Sequence, residues 1–87
     1  MRIVDEIDHP RIKITVFQWN GKYIVKLETG QFEQSFKVSE TDVDGLEDIR
    51  SMLTEEFLLN CQKQFSEMSK NWKSAFLSKN TKENIYE

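Results

Sequence analysis

Hydrophobic and polar residues alternate with a period of two from Arg11 to Glu40, RIKITVFQWNGKYIVKLETGQFEQSFKVSE, and then change to steps of three and four as far as Leu77. The first spacing marks strands with one buried face, the second a single helical stripe. Asn20-Gly21 separates two β-branched and aromatic runs and tolerates the positive φ angles of a type I′ turn. A two-residue loop there places Trp19 opposite Lys22, Phe17 opposite Ile24, Thr15 opposite Lys26 and Lys13 opposite Glu28. On the other face Gln18 meets Tyr23, Val16 meets Val25, Ile14 meets Leu27 and Ile12 meets Thr29. A slip of one residue would send every side chain to the wrong face, so this sorting supports the register. Gly30 marks a second turn, and Phe32, Phe36 and Val38 alternate along a third strand. If that loop also has two residues, Val25 faces Phe36 and Tyr23 faces Val38, while Glu28 meets Glu33, a mildly unfavourable pair.

One sheet face then holds Ile12, Ile14, Val16, Tyr23, Val25, Leu27, Phe32, Phe36 and Val38, the side a helix should cover. The opposite face holds Phe17, Trp19 and Ile24 among Lys13, Lys22, Lys26 and Lys37, with Thr15, Ser35, Glu28 and Glu33. Upstream, residues 1–10 carry Ile3, Val4 and Ile7 amid acids, and form either an extra strand or an arm tucked against the core. Pro10 holds His9 extended and sets the start of the first strand of the meander.

Residues 39–48, SETDVDGLED, read as a helix start. Thr41, Asp42 and Asp44 are competent N-caps, and Asp44 followed by Glu47 resembles a capping box. From Gly45 to Leu77 there is no proline and no further glycine. The apolar stripe runs Leu46, Ile49, Leu53, Phe57, Cys61, Phe65, Met68, Trp72, Phe76, so one continuous amphipathic helix is expected. It would be roughly 50 Å long, against about 30 Å for nine-residue strands. Phe65, Met68, Trp72 and Phe76 are therefore expected to extend past the sheet and to need a partner. Either the helix breaks near Gln62–Gln64 and folds back, or a second copy covers them as a homodimer interface. The absence of a breaker residue there favours the homodimer, and symmetric dimers are the commonest oligomers. Residues 78–87 read as a polar tail.

Composition narrows the partners. Eighty-seven residues, 38% hydrophobic and 31% charged, fit one soluble α+β domain over 11–77. No apolar run approaches the ~20 residues needed to span a bilayer, so no membrane role is expected. The first ten residues lack the apolar core of a signal peptide. A single cysteine, Cys61, suits a reducing compartment, and a cytoplasmic location is expected. The net charge is −3; residues 1–40 carry six basic and six acidic side chains, residues 41–87 six and nine. Proteins that neutralise phosphates are usually basic, so the charge counts against nucleic acid.

Catalytic and metal chemistry finds little support. His9 is the one histidine, and Cys61 lies on the apolar stripe, where a small buried hydrophobe is the usual role. There is no phosphate loop, serine elbow or zinc-binding histidine spacing. The run Asp5-Glu6-Ile7-Asp8-His9 has ligand-type side chains but no second cluster to complete a site. Asp42-x-Asp44-Gly45 superficially resembles a calcium loop, yet the position of its bidentate glutamate is Ser51. No cofactor, no metal and no enzymatic activity are expected.

The face bearing Phe17, Trp19, Lys22, Ile24, Lys26 and Lys37 admits three readings. It is a second packing surface, a patch for another protein, or a platform on which bases of a single strand stack while lysines meet phosphates. The segment Arg11–Lys22, continuing Tyr-Ile-Val-Lys-Leu-Glu28, resembles the hairpin of the single-stranded-DNA-binding transcriptional coactivators of the positive cofactor four group. Whirly and Pur-alpha proteins share the broad plan of a strand meander followed by a helix. The likeness spans about residues 11–60. It implies that Phe17, Trp19, Lys22 and Lys26 contact nucleic acid and that helices pair to form the dimer. Glu28 stands where those coactivators carry an arginine, and their basic flank has no counterpart here. The sequence thus predicts a three-stranded antiparallel meander, four-stranded if the N-terminal residues join it, followed by one long helix packed on one face. The expected role is a small non-enzymatic interaction protein that self-associates through the distal helix, the outer sheet face or both. The alternative is a single-strand nucleic-acid binder.

Overall fold

Asn20 and Gly21 adopt φ angles of 54° and 76°, the left-handed pair that a type I′ turn demands. The strands that leave this turn carry the register read from the sequence. In the computed structural model, which describes residues 1–79, β1 (Arg2–Ile7), β2 (Lys13–Trp19), β3 (Lys22–Thr29) and β4 (Phe32–Ser39) form one open antiparallel sheet in sequence order. All seven pairs from Lys13↔Glu28 to Trp19↔Lys22 join β2 to β3. Val25↔Phe36, Tyr23↔Val38 and the like-charged Glu28↔Glu33 join β3 to β4. The cross-strand cost of one glutamate pair does not outweigh an apolar face in phase.

The N-terminal residues do form a fourth strand. Its register shifts between Ile3 and Asp5, so that Ile3 pairs with Phe17 and Asp5 with Val16. This bulge lets Val4 pack against the core and still brings Asp5 to α1. There Arg50 donates from Nε to Asp5 Oδ2 at 2.7 Å and from Nη2 to Oδ1 at 2.8 Å. The guanidinium holds the Asp5 carboxyl below its ordinary value, chiefly through the hydrogen bond.

After β4 a single 3-10 turn, Glu40–Asp42, is capped by Ser39, whose Oγ accepts from the Thr41 amide at 3.3 Å. At the same corner Gln18 Nε2 donates to Glu40 Oε1 at 2.9 Å, and the Glu40 amide donates to the Gly21 carbonyl at 3.0 Å. Two helices follow, α1 (Gly45–Met52) and α2 (Glu55–Ser78). The expected single helix from Gly45 to Leu77 is therefore broken, and the break lies at Leu53–Thr54, not near Gln62–Gln64. Thr54 is a true N-cap: its Oγ1 accepts from the Phe57 amide at 3.1 Å. Glu55 and Glu56 then sit in the first turn, where carboxylates oppose the positive helix end. The start of α1 differs in detail too, because the Asp44 amide donates to the Asp48 carboxylate at 2.8 Å and not to Glu47.

The break turns the chain so that Ile49 of α1 and Leu58, Cys61 and Phe65 of α2 all reach the same sheet face. They join Ile12, Ile14, Val16, Val25 and Leu27 in one core, with α2 against β4. Phe65 is 5% exposed, so it is a core residue and not part of the overhang, and Met68 packs partly against that core. Beyond Met68 the stripe continues without cover: Trp72, Phe76 and Leu77 are 52%, 54% and 56% exposed. Gln34, a polar residue on the core face of β4, donates from Nε2 to the Cys61 carbonyl at 3.0 Å. Residues 80–87, most of the segment read as a polar tail, lie outside the described residues.

Two outcomes follow from this packing. Phe65→Ala is expected to lower stability by about 3–5 kcal/mol. Trp72→Ala, measured at low protein concentration so that association does not contribute, is expected to change it by less than about 0.5 kcal/mol. Urea unfolding followed by circular dichroism compares them, and equal losses would place Trp72 inside the core. Because the folded Asp5 carboxyl titrates below its ordinary 3.8, its stabilising effect is full above that pH and is lost as the pH falls through the folded value. An acid titration of amide-exchange protection in β1 should show this loss in the wild type. Asp5→Asn should remove that step and weaken β1 at neutral pH.

Candidate functional site

Two surfaces stand out, and both follow from how the sheet is covered. The outer face is built of cross-strand rows, one of which aligns Ile3, Phe17, Ile24 and Lys37. A neighbouring row aligns Glu6, Thr15, Lys26 and Ser35, and another Lys13, Glu28 and Glu33. Trp19 pairs with Lys22 and then Ser39 at the hairpin end. The aromatic–lysine cluster expected from the sequence is thus one face, now extended by Ile3.

Within it the residues differ sharply in exposure. Ile24 is only 8% exposed, Phe17 is half-buried, and Trp19 and Ile3 are 51% and 55% exposed. Lys26 bends over its neighbours, with Nζ 5.3 Å from the Phe17 ring centroid and 3.9 Å from Glu28 Oε1. That places the ammonium in cation–π range and next to a carboxylate. Lys13, Lys22, Lys26 and Lys37 share the face with Glu6, Glu28 and Glu33, so its charges nearly cancel. Sequence reasoning omitted Glu6 from this face, because the strand that carries it was left open.

The second surface lies on the helices. Trp72 and Phe76 of the expected dimer interface occupy successive turns at the distal end of α2, with Leu77 beside them, whereas Phe65 and most of Met68 belong inside. Lys70, Lys73 and Lys79 surround this end; Lys79 Nζ lies 4.2 Å from the Phe76 ring centroid, and Lys70 Nζ lies 3.7 Å from Glu67. At the other end of α2 the helix break opens an apolar cleft of about 160 Å³ between α1, α2 and β4. Val25, Phe36, Val38, Ile49, Met52, Leu53 and Phe57 line it, together with Lys37. Phe36 is 40% exposed and meets Phe57 edge-on, their centroids 5.3 Å apart. Met52, 54% exposed, overhangs the rim. This cleft was missed from the sequence, since a continuous helix would have no such corner.

The groups with reactive chemistry are dispersed. Cys61 is buried, and desolvation pushes its thiol upward, away from the nucleophilic thiolate. His9 Nδ1 accepts from the Arg11 amide at 3.1 Å. In the acidic N-terminal run, Asp5 turns to Arg50 while Glu6 sits opposite Thr15 on the outer face. Among the described residues no three histidine, cysteine or carboxylate side chains group to hold a metal. Nor is any helix among them long and apolar enough to cross a membrane. Comparison with family models, with curated proteins and with solved structures finds no match to this chain.

Proposed function

We propose that this chain is a small non-enzymatic interaction module that self-associates, using the end of α2 that its own sheet leaves bare. The observation that carries the proposal is the exposure of Trp72, Phe76 and Leu77, each above one half, on the continuation of a stripe whose earlier members are buried. Covering a side chain of this size contributes roughly 1.5–3 kcal/mol, a large amount beside the stability of a small domain. A second copy is the simplest source of that cover, because a two-fold axis uses the same patch twice. Ile3, Phe17 and Trp19 on the outer sheet face give a further apolar surface for the same purpose.

A second reading rests on one specific observation, the half-exposed Trp19 beside Lys22 with Lys26 over Phe17. This arrangement suits base stacking on a single strand, in keeping with the likeness to the coactivator hairpin. Glu6, Glu28 and Glu33 interleave with the lysines and would repel phosphates, which ranks this reading second.

Trp72→Asp is expected to leave a folded monomer where the wild type is a dimer by light scattering. A dimer that survives this substitution overturns the distal-helix interface. For the second reading, titrating oligo-dT into the protein at low salt should quench Trp19 fluorescence, with the effect lost at high salt. Unchanged fluorescence at low salt removes nucleic acid as the partner.

A further inference from the structure

We infer that the bare end of α2 docks into the apolar cleft at the α1–α2 corner of a second copy, with the Phe76 ring of each chain entering the cleft of the other. The inference rests on the self-association proposed above and names its counter-surface. Three observations support it together: the fit of size, the complementarity of charge, and the reciprocity of the geometry.

The cleft is the right size for one ring. A cavity of about 150 Å³ lined by apolar side chains holds a benzene molecule, and this one measures about 160 Å³. Its walls, Phe36, Met52, Leu53 and Phe57, are aromatic and flexible apolar groups, suited to an edge-on phenyl contact. Phe36 and Met52 stand 40% and 54% exposed at the rim, so the site is open.

The charges of the two surfaces are opposite. The distal end of α2 carries Lys70, Lys73 and Lys79; Lys70 is paired with Glu67 at 3.7 Å, so Lys73 and Lys79 leave this end net positive. The helical segments around the cleft carry exposed Asp44, Glu47, Glu55 and Glu56. Their one arginine, Arg50, is held by Asp5 at 2.7 Å, and Lys37, on the β4 edge, is the one charged residue in the lining itself. A net-cationic, aromatic helix end therefore meets an apolar recess formed by net-acidic helical segments, a complementarity that an uncharged apolar partner lacks.

Both contacts form at once. Phe57 and Phe76 lie nineteen residues apart on α2, about 29 Å along the axis. When two copies of α2 run antiparallel across a two-fold axis, Phe76 of one chain comes level with Phe57 of the other, and the reverse contact is made by symmetry. One helix end alone would be a small interface; two reciprocal ends double it. Glu55 and Glu56 then lie near the lysines at the partner's helix end.

Charge exchange tests this arrangement. One variant carries Lys70→Glu, Lys73→Glu and Lys79→Glu; the other carries Glu47→Lys, Glu55→Lys and Glu56→Lys. Each alone is expected to weaken self-association by about tenfold or more, since its own two surfaces now repel. Their equimolar mixture is expected to regain association in analytical ultracentrifugation, because in the mixed dimer the altered end meets the altered cleft and the unaltered end meets the unaltered cleft. Variants that associate like the wild type, or that fall apart and stay apart when mixed, overturn the cleft as the counter-surface and leave self-association standing. A wild type that stays monomeric at its highest soluble concentration overturns the underlying proposal itself. Should circular dichroism show either triple variant unfolded, an equimolar mixture of Glu56→Cys and Lys79→Cys chains decides. A disulfide-linked heterodimer forming faster than either homodimer is the expected result, and its absence overturns the docking.

Discussion

One geometric constraint governs this molecule: a sheet of short strands can cover only the beginning of α2. Eight-residue strands extend about 27 Å, and a 24-residue helix extends about 36 Å. Leu58, Cys61 and Phe65 are buried in one cluster with Ile14 and Leu27 of the sheet; the same stripe at Trp72 and Phe76 is left exposed. The overall extents of 53 × 28 × 18 Å reflect that overhang. The apolar spacing does not stop where the support stops, and that continuation leaves Trp72, Phe76 and Leu77 exposed.

The position of the break in the helical segment matters almost as much. With Thr54 as a cap, α1 and α2 approach the sheet separately, and the corner between them becomes a cleft. A rod continuous from Gly45 would place residues further along and hold no recess. The bidentate Asp5–Arg50 pair links β1, at one edge of the sheet, to α1. One capping event thus produces both the recess and the reach of the helix end.

The outer face follows a different logic. Its register aligns glutamates and lysines as neighbours, so the field above it is weak although four lysines are present. Lys26 contacts Phe17 and Glu28 instead of standing free for a phosphate. A face of this kind favours apolar and hydrogen-bonding partners over polyanions, which need unopposed positive charge.

Strand pairing was legible from the chain because it depends on local quantities. Asn20-Gly21 dictates the turn, the turn length dictates the register, and alternation dictates the face, so the pairs from Val16↔Val25 to Glu28↔Glu33 could be written down in advance. Trp72 and Phe76 were legible as exposed for the related reason that helix rise and strand rise are constants. Other features depended on contacts between distant segments. The bulge after Ile3, the burial of Phe65 and the bond from Gln34 to the Cys61 carbonyl all require knowing which element lies over which. The helix break had a local mark, Thr54 followed by two glutamates, but a threonine inside a periodic apolar stripe caps or continues a helix according to the packing on either side. The sequence by itself therefore determined the strands, their register and the helical stripe. Only the tertiary structure decided where that stripe is cut, how much of it the sheet covers and where the cleft opens, because those depend on how whole elements fit against one another.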